Sequence, residues 1–320
     1  ATLSDRHSLY TTPHTMIIRP QNRLALLYVM QGSFFHRLWQ PLLLLFLFSV
    51  AVSYYQRHII EYQIPLNATV FTLLGIALAI FHGFCNTAAY DRFWEGRKQW
   101  GALIWQTRAL AYKVTTLPHI PEHTRREMVS LIITFSHCLR HQLRGESAEA
   151  DIRRTAPEAY QAELLASPYP AMMSNQLLAR LNAQLLRDGH VGNIEWQSID
   201  DNLEEIALIQ AACERISNTP IPFAYFVMMH RTVYGYCFLL PFGLINSIGW
   251  VTPFMVTFVG YTFMALSEIV DEISEPFGTA ENDLALTAMC QTIETQLSLL
   301  GSLNLPPSEE HAKHGTYIVQ

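Results

Sequence analysis

The stretch that decides the fold is ATVFTLLGIALAIFHGFCNT, residues 68–87, which contains no Asp, Glu, Lys or Arg. A helix of about 20 apolar residues is long enough to cross the hydrocarbon core of a bilayer. Two further stretches, 38–56 and 232–267, also lack these four residue types, and the whole chain carries only 15% charged residues. Soluble globular proteins carry about 25%. The sequence therefore predicts an all-α membrane protein and argues against a soluble, disordered or collagen-like chain.

Four membrane spans are predicted, at 39–56, 68–87, 232–248 and 251–267. The last two divide one uncharged stretch that is too long for a single crossing. Gly249 and Pro253 interrupt that stretch, and a tight turn is expected near Ser247–Trp250.

Basic residues cluster beside the first two spans and are scarce in the short turns. They are Arg19, Arg23 and Arg37 before the first span, and Arg92, Arg97, Lys98, Arg108 and Lys113 after the second. Because Lys and Arg favour the cytoplasmic side of a membrane, both termini and the long 92–215 region are expected in the cytoplasm. The chain has no basic stripe, which argues against nucleic acid as a partner.

Five segments follow from this pattern: an N-terminal segment (1–24), a first transmembrane pair (25–91), a cytoplasmic helical region (92–218), a second transmembrane pair with the segment before it (219–267), and a cytoplasmic C-terminal helix and tail (268–320). Residues 1–15 are polar and are expected to be disordered, with Met16 as a candidate native start. No secretory signal is expected.

Helix signals are frequent in the cytoplasmic region. Pro121 and Gly145 mark the start and end of one predicted helix. Ser174 is expected to cap a second helix, and a third is predicted over Ser198–Ile216. The proline-containing stretch 145–172 is predicted to be irregular.

Enzyme signatures are missing: the sequence contains no GxSxG, no phosphate-binding glycine loop and no HExxH. Two histidine pairs, His119/His123 and His137/His141, have the i,i+4 spacing of metal ligands but lack a carboxylate at a telling position. The five cysteines stand far apart and are expected to be buried apolar residues. The chain is therefore not expected to be an enzyme or to hold a metal or cofactor, although a membrane-bound metal-dependent enzyme stays an alternative. A coupled transporter is a further alternative, disfavoured because the spans lack central charges.

One stripe of the second span carries the strongest functional signal. Ile76, Ile80 and Phe84 drift by only about 80° around a helix and cover about 12 Å along it. In a monomer this stripe is a packing face. In a symmetric oligomer with this helix at the axis, the three residues become stacked apolar rings, a constriction that resists wetting. His82 lies about 200° from the middle of the stripe and is expected to face neighbouring helices, with pH sensing as a second possibility.

Charges return together with aromatic residues in AAYDRFWEGRKQWG, residues 88–101. Arg92, Trp94 and Glu95 belong to this stretch, which is typical of a helix that leaves the membrane. The alternative is a structural latch in which charged residues of this stretch pair with a later acidic cluster.

That acidic cluster lies in SEIVDEISEPFGTAEND, residues 267–283. Its carboxylates are Glu268, Asp271, Glu272 and Glu275, which share one helical face, and Asp283 beyond the helix end. Several could ligate calcium, but the regular EF-hand pattern is absent. A solvated or salt-bridged face is the preferred interpretation.

Four motifs in sequence resemble the bestrophin family of ion channels in its shorter bacterial form. They are IIRPQNRL followed by QGS, GIALAIFHGFCNTAAYDRFWEGRKQWG, TPIPFAYFVMMHRTVYGYCFLLPFGL and EISEPFGTAENDLAL. They recur in family order and cover most of residues 16–300. The second and fourth motifs are the most specific.

The resemblance implies four transmembrane helices per protomer, a cytoplasmic helical layer and a homopentamer around one central pore. It implies a hydrophobic neck at Ile76, Ile80 and Phe84, and a cytoplasmic aperture at Ile221. It further implies passive conduction of monovalent ions, without a cofactor, in the inner membrane of a bacterium.

Two departures from the animal members of the family bear on regulation and selectivity. Ala280 stands where the family's calcium clasp has a carboxylate, and Glu275 replaces a neutral amide, whereas Asp283 matches; calcium activation is therefore not expected. Two of the three neck residues are isoleucine rather than phenylalanine, a pattern that the resemblance associates with cations. A channel for cations such as Na⁺ is the expectation, with an anion (chloride) channel of the same architecture as the alternative.

Overall fold

The computed structural model describes residues 35–58, 68–280 and 282–306. It shows α-helices and no β-strand within these ranges. The helices are α1 (Phe35–His58), α2 (Ala68–Thr116), α3 (Glu122–Arg144), α4 (Glu149–Thr155), α5 (Glu158–Ala166), α6 (Pro170–Arg187), α7 (Asn193–Asn218), α8 (Phe223–Ile248), α9 (Thr252–Ile273) and α10 (Leu286–Gly301). The predicted disorder at 1–15 and most of residues 57–67, which join the first two predicted spans, lie outside the described residues.

The chain divides into two compact units. Within the described residues, the apolar unit comprises 35–58, 68–94 and 220–276, and the polar unit comprises 95–219, 277–280 and 282–306. The long helix α2 contributes its first part to the apolar unit and its last part to the polar unit. The five segments drawn from the sequence remain predictions.

Within the described residues, three helical stretches are long and apolar enough to cross a membrane: His36–Gln56, Thr69–Thr116 and Phe223–Ile273. The predicted helical architecture is thereby confirmed for the part of the chain that the structure describes. The third stretch contains α8 and α9, which are separated by a short 3₁₀ turn over Gly249–Val251. Gly249 has a φ of 56°, a left-handed value that glycine adopts easily, and the turn lies where the sequence predicts it.

The core of the apolar unit is formed by all four of its helices. Its buried members are Leu38, Leu42 and Leu45 from α1, Phe71 and Leu78 from α2, Val233, Cys237 and Leu240 from α8, and Val256 and Met264 from α9. The helices approach closely at Gly243, where an added Cβ would overlap the ring of Phe71. One side of α2 is therefore packed firmly inside the unit.

The polar unit confirms one predicted helix and corrects others. α3 begins after Pro121 and ends at Gly145, whose φ of 67° provides the left-handed cap that the sequence predicts. The expected cap at Ser174 is wrong, because α6 begins at Pro170 and Ser174 donates its buried Oγ proton to the Leu131 carbonyl at 2.8 Å. α7 begins at Asn193, earlier than predicted.

The prediction of an irregular segment over 145–172 is also wrong. α4 and α5 lie within it, and α6 begins inside it. Pro157 precedes α5 and Pro170 occupies the first turn of α6, a position where the missing N–H costs nothing. The prolines therefore start helices here and do not interrupt them.

Candidate functional site

The predicted neck stripe lies on an open face of α2. Ile76, Ile80 and Phe84 are exposed to 53%, 56% and 72% of their surface, whereas Leu78 and Cys85 on other sides of the helix are buried. A set of large apolar side chains left open in a membrane helix is available to lipid or to another copy of the chain. The assignment of these residues to a pore remains a prediction.

His82 lies on the packed side of α2, as its angular position predicts. It is buried, with Nε2 at 3.0 Å from Ser267 Oγ on α9 and Nδ1 at 3.2 Å from the Leu78 carbonyl oxygen. The ring of Phe263 meets it edge to face at 5.7 Å between centroids. The neck stripe and this polar contact therefore occupy opposite sides of one helix.

Ile221, the predicted aperture residue, is half-buried. It packs against a small cluster that contains Cys85, Met229 and Val270, so it contacts α2, α8 and α9. Another isoleucine, Ile194 in the first turn of α7, is 87% exposed, and no sequence pattern singles it out. Its exposure is visible only in the structure, because nothing in its local spacing marks it.

The three residues predicted to follow the neck, Arg92, Trp94 and Glu95, make different contacts from one another. Arg92 donates from Nε to the Ser274 carbonyl oxygen at 2.6 Å, at the end of α9. Trp94 is half exposed and stacks on Tyr90 at 6.5 Å between ring centroids. Glu95 pairs with Lys98 at 2.7 Å on the same helix, so of these three residues it is Arg92 that contacts α9.

The acidic face of α9 is largely met by basic side chains of the same unit. Glu268 lies 3.9 Å from Arg37, Asp271 accepts from His230 at 2.8 Å, and Glu275 interacts electrostatically with Arg92. Glu272 is half-buried beside them. Beyond the helix, Asp283 accepts the Ala280 backbone N–H at 2.7 Å and closes a turn.

The histidine pair His137/His141 belongs to a buried ionic cluster of the polar unit. Asp151 Oδ2 lies 2.9 Å from His141 Nε2 and 3.4 Å from His137 Nδ1, and Arg140 donates to the same oxygen at 2.9 Å. Glu294 of α10 accepts from His137 at 2.8 Å and from Arg154 at 2.5 Å. Within the described ranges, no three His, Cys, Asp or Glu side chains are arranged to hold a metal.

The ionic cluster shifts the pKa values of its members. Burial acts to raise the pKa of Asp151, but hydrogen bonds from His137 and His141 outweigh it and hold that pKa well below its usual range. Burial likewise opposes the charge of Glu294, yet bonds from His137 and Arg154 lower its pKa to about 2. The two carboxylates in turn raise the pKa of His137, although its burial acts in the opposite direction. The arrangement is a charge-paired structural contact between α3, α4 and α10.

All five cysteines are buried and unpaired, as expected from their spacing. Burial raises the pKa of Cys138 and of Cys290 to about 12, so neither thiol ionises near neutral pH. These residues act as small apolar side chains.

Comparison with known proteins decides the family. A family model described as Bacterial/Fungal Bestrophin protein matches residues 16–298. The chain belongs to the bestrophin family. This confirms the resemblance seen in the four motifs, and membership of a channel family confirms that the chain is not an enzyme.

Two relatives and one solved structure illustrate the match. The voltage-dependent anion channel-forming protein YneE of Escherichia coli is 41% identical over 285 residues, which cover 88% of this chain and 93% of that protein. A voltage-dependent anion channel-forming protein of Ralstonia nicotianae is 39% identical over 294 residues, covering 91% and 96%. A crystal structure of a bacterial bestrophin homologue from Klebsiella pneumoniae superimposes with a TM-score of 0.79 at 39% identity, covering 82% and 98%.

The expectation of cation conduction is wrong, because these bestrophin relatives are named as anion channels. Within the apolar unit, Glu268 lies 3.9 Å from Arg37 and Asp271 accepts a hydrogen bond from His230, so these two carboxylates of α9 have partners on other helices. The neck stripe itself is uncharged and selects neither sign by charge.

Proposed function

We propose that this bestrophin forms a passive anion channel. Five identical chains would surround one pore, with the stripe of α2 as its hydrophobic neck. The observation that carries the proposal is the open stripe Ile76, Ile80 and Phe84, combined with a relative that is 41% identical and named as an anion channel-forming protein.

The difference between the two sides of α2 supports a pore lined by the stripe. The packed side of α2 is engaged by α8 and α9 through Leu78 and His82, whereas the open side has no cover within the described part of its own chain. Around a five-fold axis, three such side chains produce three apolar rings about 6 Å apart. Closely spaced apolar rings dewet easily, so small movements of α2 would control the passage of ions.

Four crossings per chain are supported by helix lengths. α1, α8 and α9 contain 24, 26 and 22 residues, which correspond to about 36, 39 and 33 Å. A hydrocarbon core is about 30 Å thick. With the first part of α2 as the remaining span, both termini lie on the same side. The basic residues that follow the second span favour the cytoplasmic face of a bacterial inner membrane.

An anion preference is compatible with the neck. Phe84 is the most exposed of the three stripe residues, and the edges of aromatic rings carry partial positive charge that can face an anion. Two acidic side chains of α9 have an arginine nearby, Arg37 for Glu268 and Arg92 for Glu275, which weakens the field that would attract cations.

Reversal potentials test the sign of the permeant ion. Purified protein in planar bilayers, under a tenfold NaCl gradient, should reverse near the chloride equilibrium potential, about 59 mV from zero for a monovalent ion. Replacing chloride by a large organic anion should remove most of the inward or outward chloride current. Reversal near the sodium potential would refute anion selectivity, and no current at any voltage would refute the channel.

The neck assignment has its own test in the same recordings. Ile80→Ala should enlarge the unitary current or the open fraction, because it removes one apolar ring. Leu44→Ala is the matched control, since Leu44 is 68% exposed on α1, away from the stripe. Equal currents in wild type and Ile80→Ala would show that the stripe faces lipid. Mass measurement of the detergent-solubilised particle should give five chains of 36.5 kDa.

A further inference from the structure

The packed side of the neck helix carries a hydrogen-bond chain that the proposed function does not use. His82 is 3% exposed and Ser267 is 2% exposed, so both belong to the interior of the apolar unit. Leu78 O, His82, Ser267 and Phe263 O follow one another at 3.2, 3.0 and 3.1 Å. This hydrogen-bond chain begins on α2 and ends on α9.

Counting protons along this chain distinguishes the two forms of His82. A carbonyl oxygen only accepts, so the proton beside Leu78 belongs to Nδ1, an assignment made from the partners. In neutral His82, Nε2 then accepts, and the single hydroxyl proton of Ser267 serves either His82 or Phe263. In the doubly protonated form, Nε2 donates to Ser267, and Ser267 is free to donate to Phe263. One hydrogen bond therefore depends on the protonation of His82.

The surroundings of His82 identify which other charges act on it. From α8, His230 interacts with it electrostatically, and His230 is itself bonded to Asp271 of α9. From α9, the ring of Phe263 and the hydroxyl of Ser267 are in contact with it. No ion pair of His82 with a carboxylate occurs within the described residues. The positive charge of a protonated His82 would therefore have no directly contacting negative group there.

This hydrogen-bond chain lies on the neck helix, on the side opposite the stripe. His82 lies about 200° around the helix from Ile80, so the bond to Ser267 holds the side of α2 that is opposite the open stripe. Arg92, which donates to the Ser274 carbonyl oxygen, holds the same helix about 15 Å further along. Both partners belong to α9. Two directional contacts on one side restrict rotation of α2, and rotation is the movement that would turn the stripe away from an axis.

We propose that His82 is a positioning residue: through Ser267 it sets the rotation of the neck helix, and protonation of His82 changes this contact and thereby the opening of the channel. The inference depends on the proposed function, since its readout is the current through the neck. It assigns the role to the contact between α2 and α9 and not to any group that touches the ion.

Single-channel recording at symmetrical pH between about 5.5 and 8 tests this proposal. Wild-type open probability should change with pH. His82→Gln, which cannot titrate in this range, and Ser267→Ala, which keeps the imidazole, should each flatten that profile and shift open probability by roughly two- to tenfold, the effect of one hydrogen bond. The double variant should match the single variants, because both remove the same contact.

Ser53→Ala is the matched control. Ser53 is also a buried serine of a membrane helix, but among the described residues its Oγ bonds to the Ser49 carbonyl of the same helix, at 2.8 Å, and not to another helix. It should leave the pH profile unchanged. A wild-type open probability that is constant over this pH range would overturn the proposal, as would a wild-type profile in both His82→Gln and Ser267→Ala. A wild-type protein without any current would instead refute the proposed channel function.

Discussion

The structure allows the loss of stability in Glu294→Gln to be worked out in magnitude, because Glu294 is held by three short contacts in a nearly closed site. It accepts from His137 at 2.8 Å and from Arg154 at 2.5 and 2.8 Å, with 17% of its side chain exposed. The amide of glutamine has the same shape, but it carries no charge and presents N–H donors to partners that also donate. Arg154 and His137 would then stay buried without their carboxylate.

The lowered pKa of Glu294 gives the size of the net contribution that these contacts make to folding stability. It falls from 4.5 to about 2 on folding, and each pKa unit corresponds to about 1.4 kcal/mol, so the contacts contribute about 3 kcal/mol. This agrees with the 3–5 kcal/mol typically lost when one partner of a buried ion pair is removed. Because the folded pKa is the lower one, the stabilisation is complete above about pH 4.5 and is lost as pH falls through about 2.

Thermal unfolding in detergent, at a fixed scan rate, measures this effect. At pH 7, Glu294→Gln should lower the midpoint by several degrees, and the gap to wild type should narrow as pH falls below 4.5. Glu163→Gln is the control, since its 2.6 Å contact with Arg180 is exposed to solvent and should contribute little to stability. Equal midpoints for wild type and Glu294→Gln at pH 7, or a gap that does not vary with pH, would refute the reasoning.

Two further predictions concern the apolar unit and the aperture. Gly243→Ala should destabilise the protein by about 1–3 kcal/mol in the same thermal assay, because its Cβ would overlap Phe71, whereas Gly235→Ala meets nothing within 4 Å and should be tolerated. Ile221→Ala should enlarge the single-channel current if Ile221 lines the cytoplasmic aperture. An increase in Ile194→Ala alone would place that constriction at the start of α7, where the exposed isoleucine lies.

Local sequence signals were reliable where a single chain segment determines the outcome. Gly145 needs a left-handed φ to end α3, and Gly249 needs one to separate α8 from α9; both are visible without any knowledge of packing. The same kind of signal failed at Ser174. A serine caps a helix only if no better start lies upstream, and Pro170 provides one.

The position of charge partners was beyond local sequence signals. The pair His137/His141 has a metal-like spacing, but its meaning depends on Glu294, which lies 157 residues from His137 in the chain. The same holds for Asp271, whose partner His230 comes from a different helix. Spacing within one helix cannot tell whether a neighbouring helix brings a metal, water or an opposite charge.

The sequence by itself predicted a helical membrane protein of the bestrophin family, because uncharged runs of about 20 residues are long enough to cross a bilayer, where a helix satisfies its backbone hydrogen bonds within one segment. It also determined which side chains share the stripe of α2, since helical periodicity depends on spacing alone. Only the tertiary structure decided that His82 faces Ser267 while the stripe stays open. Which side of a helix is covered depends on helices that lie far away in the chain, and those contacts form only when the whole unit folds.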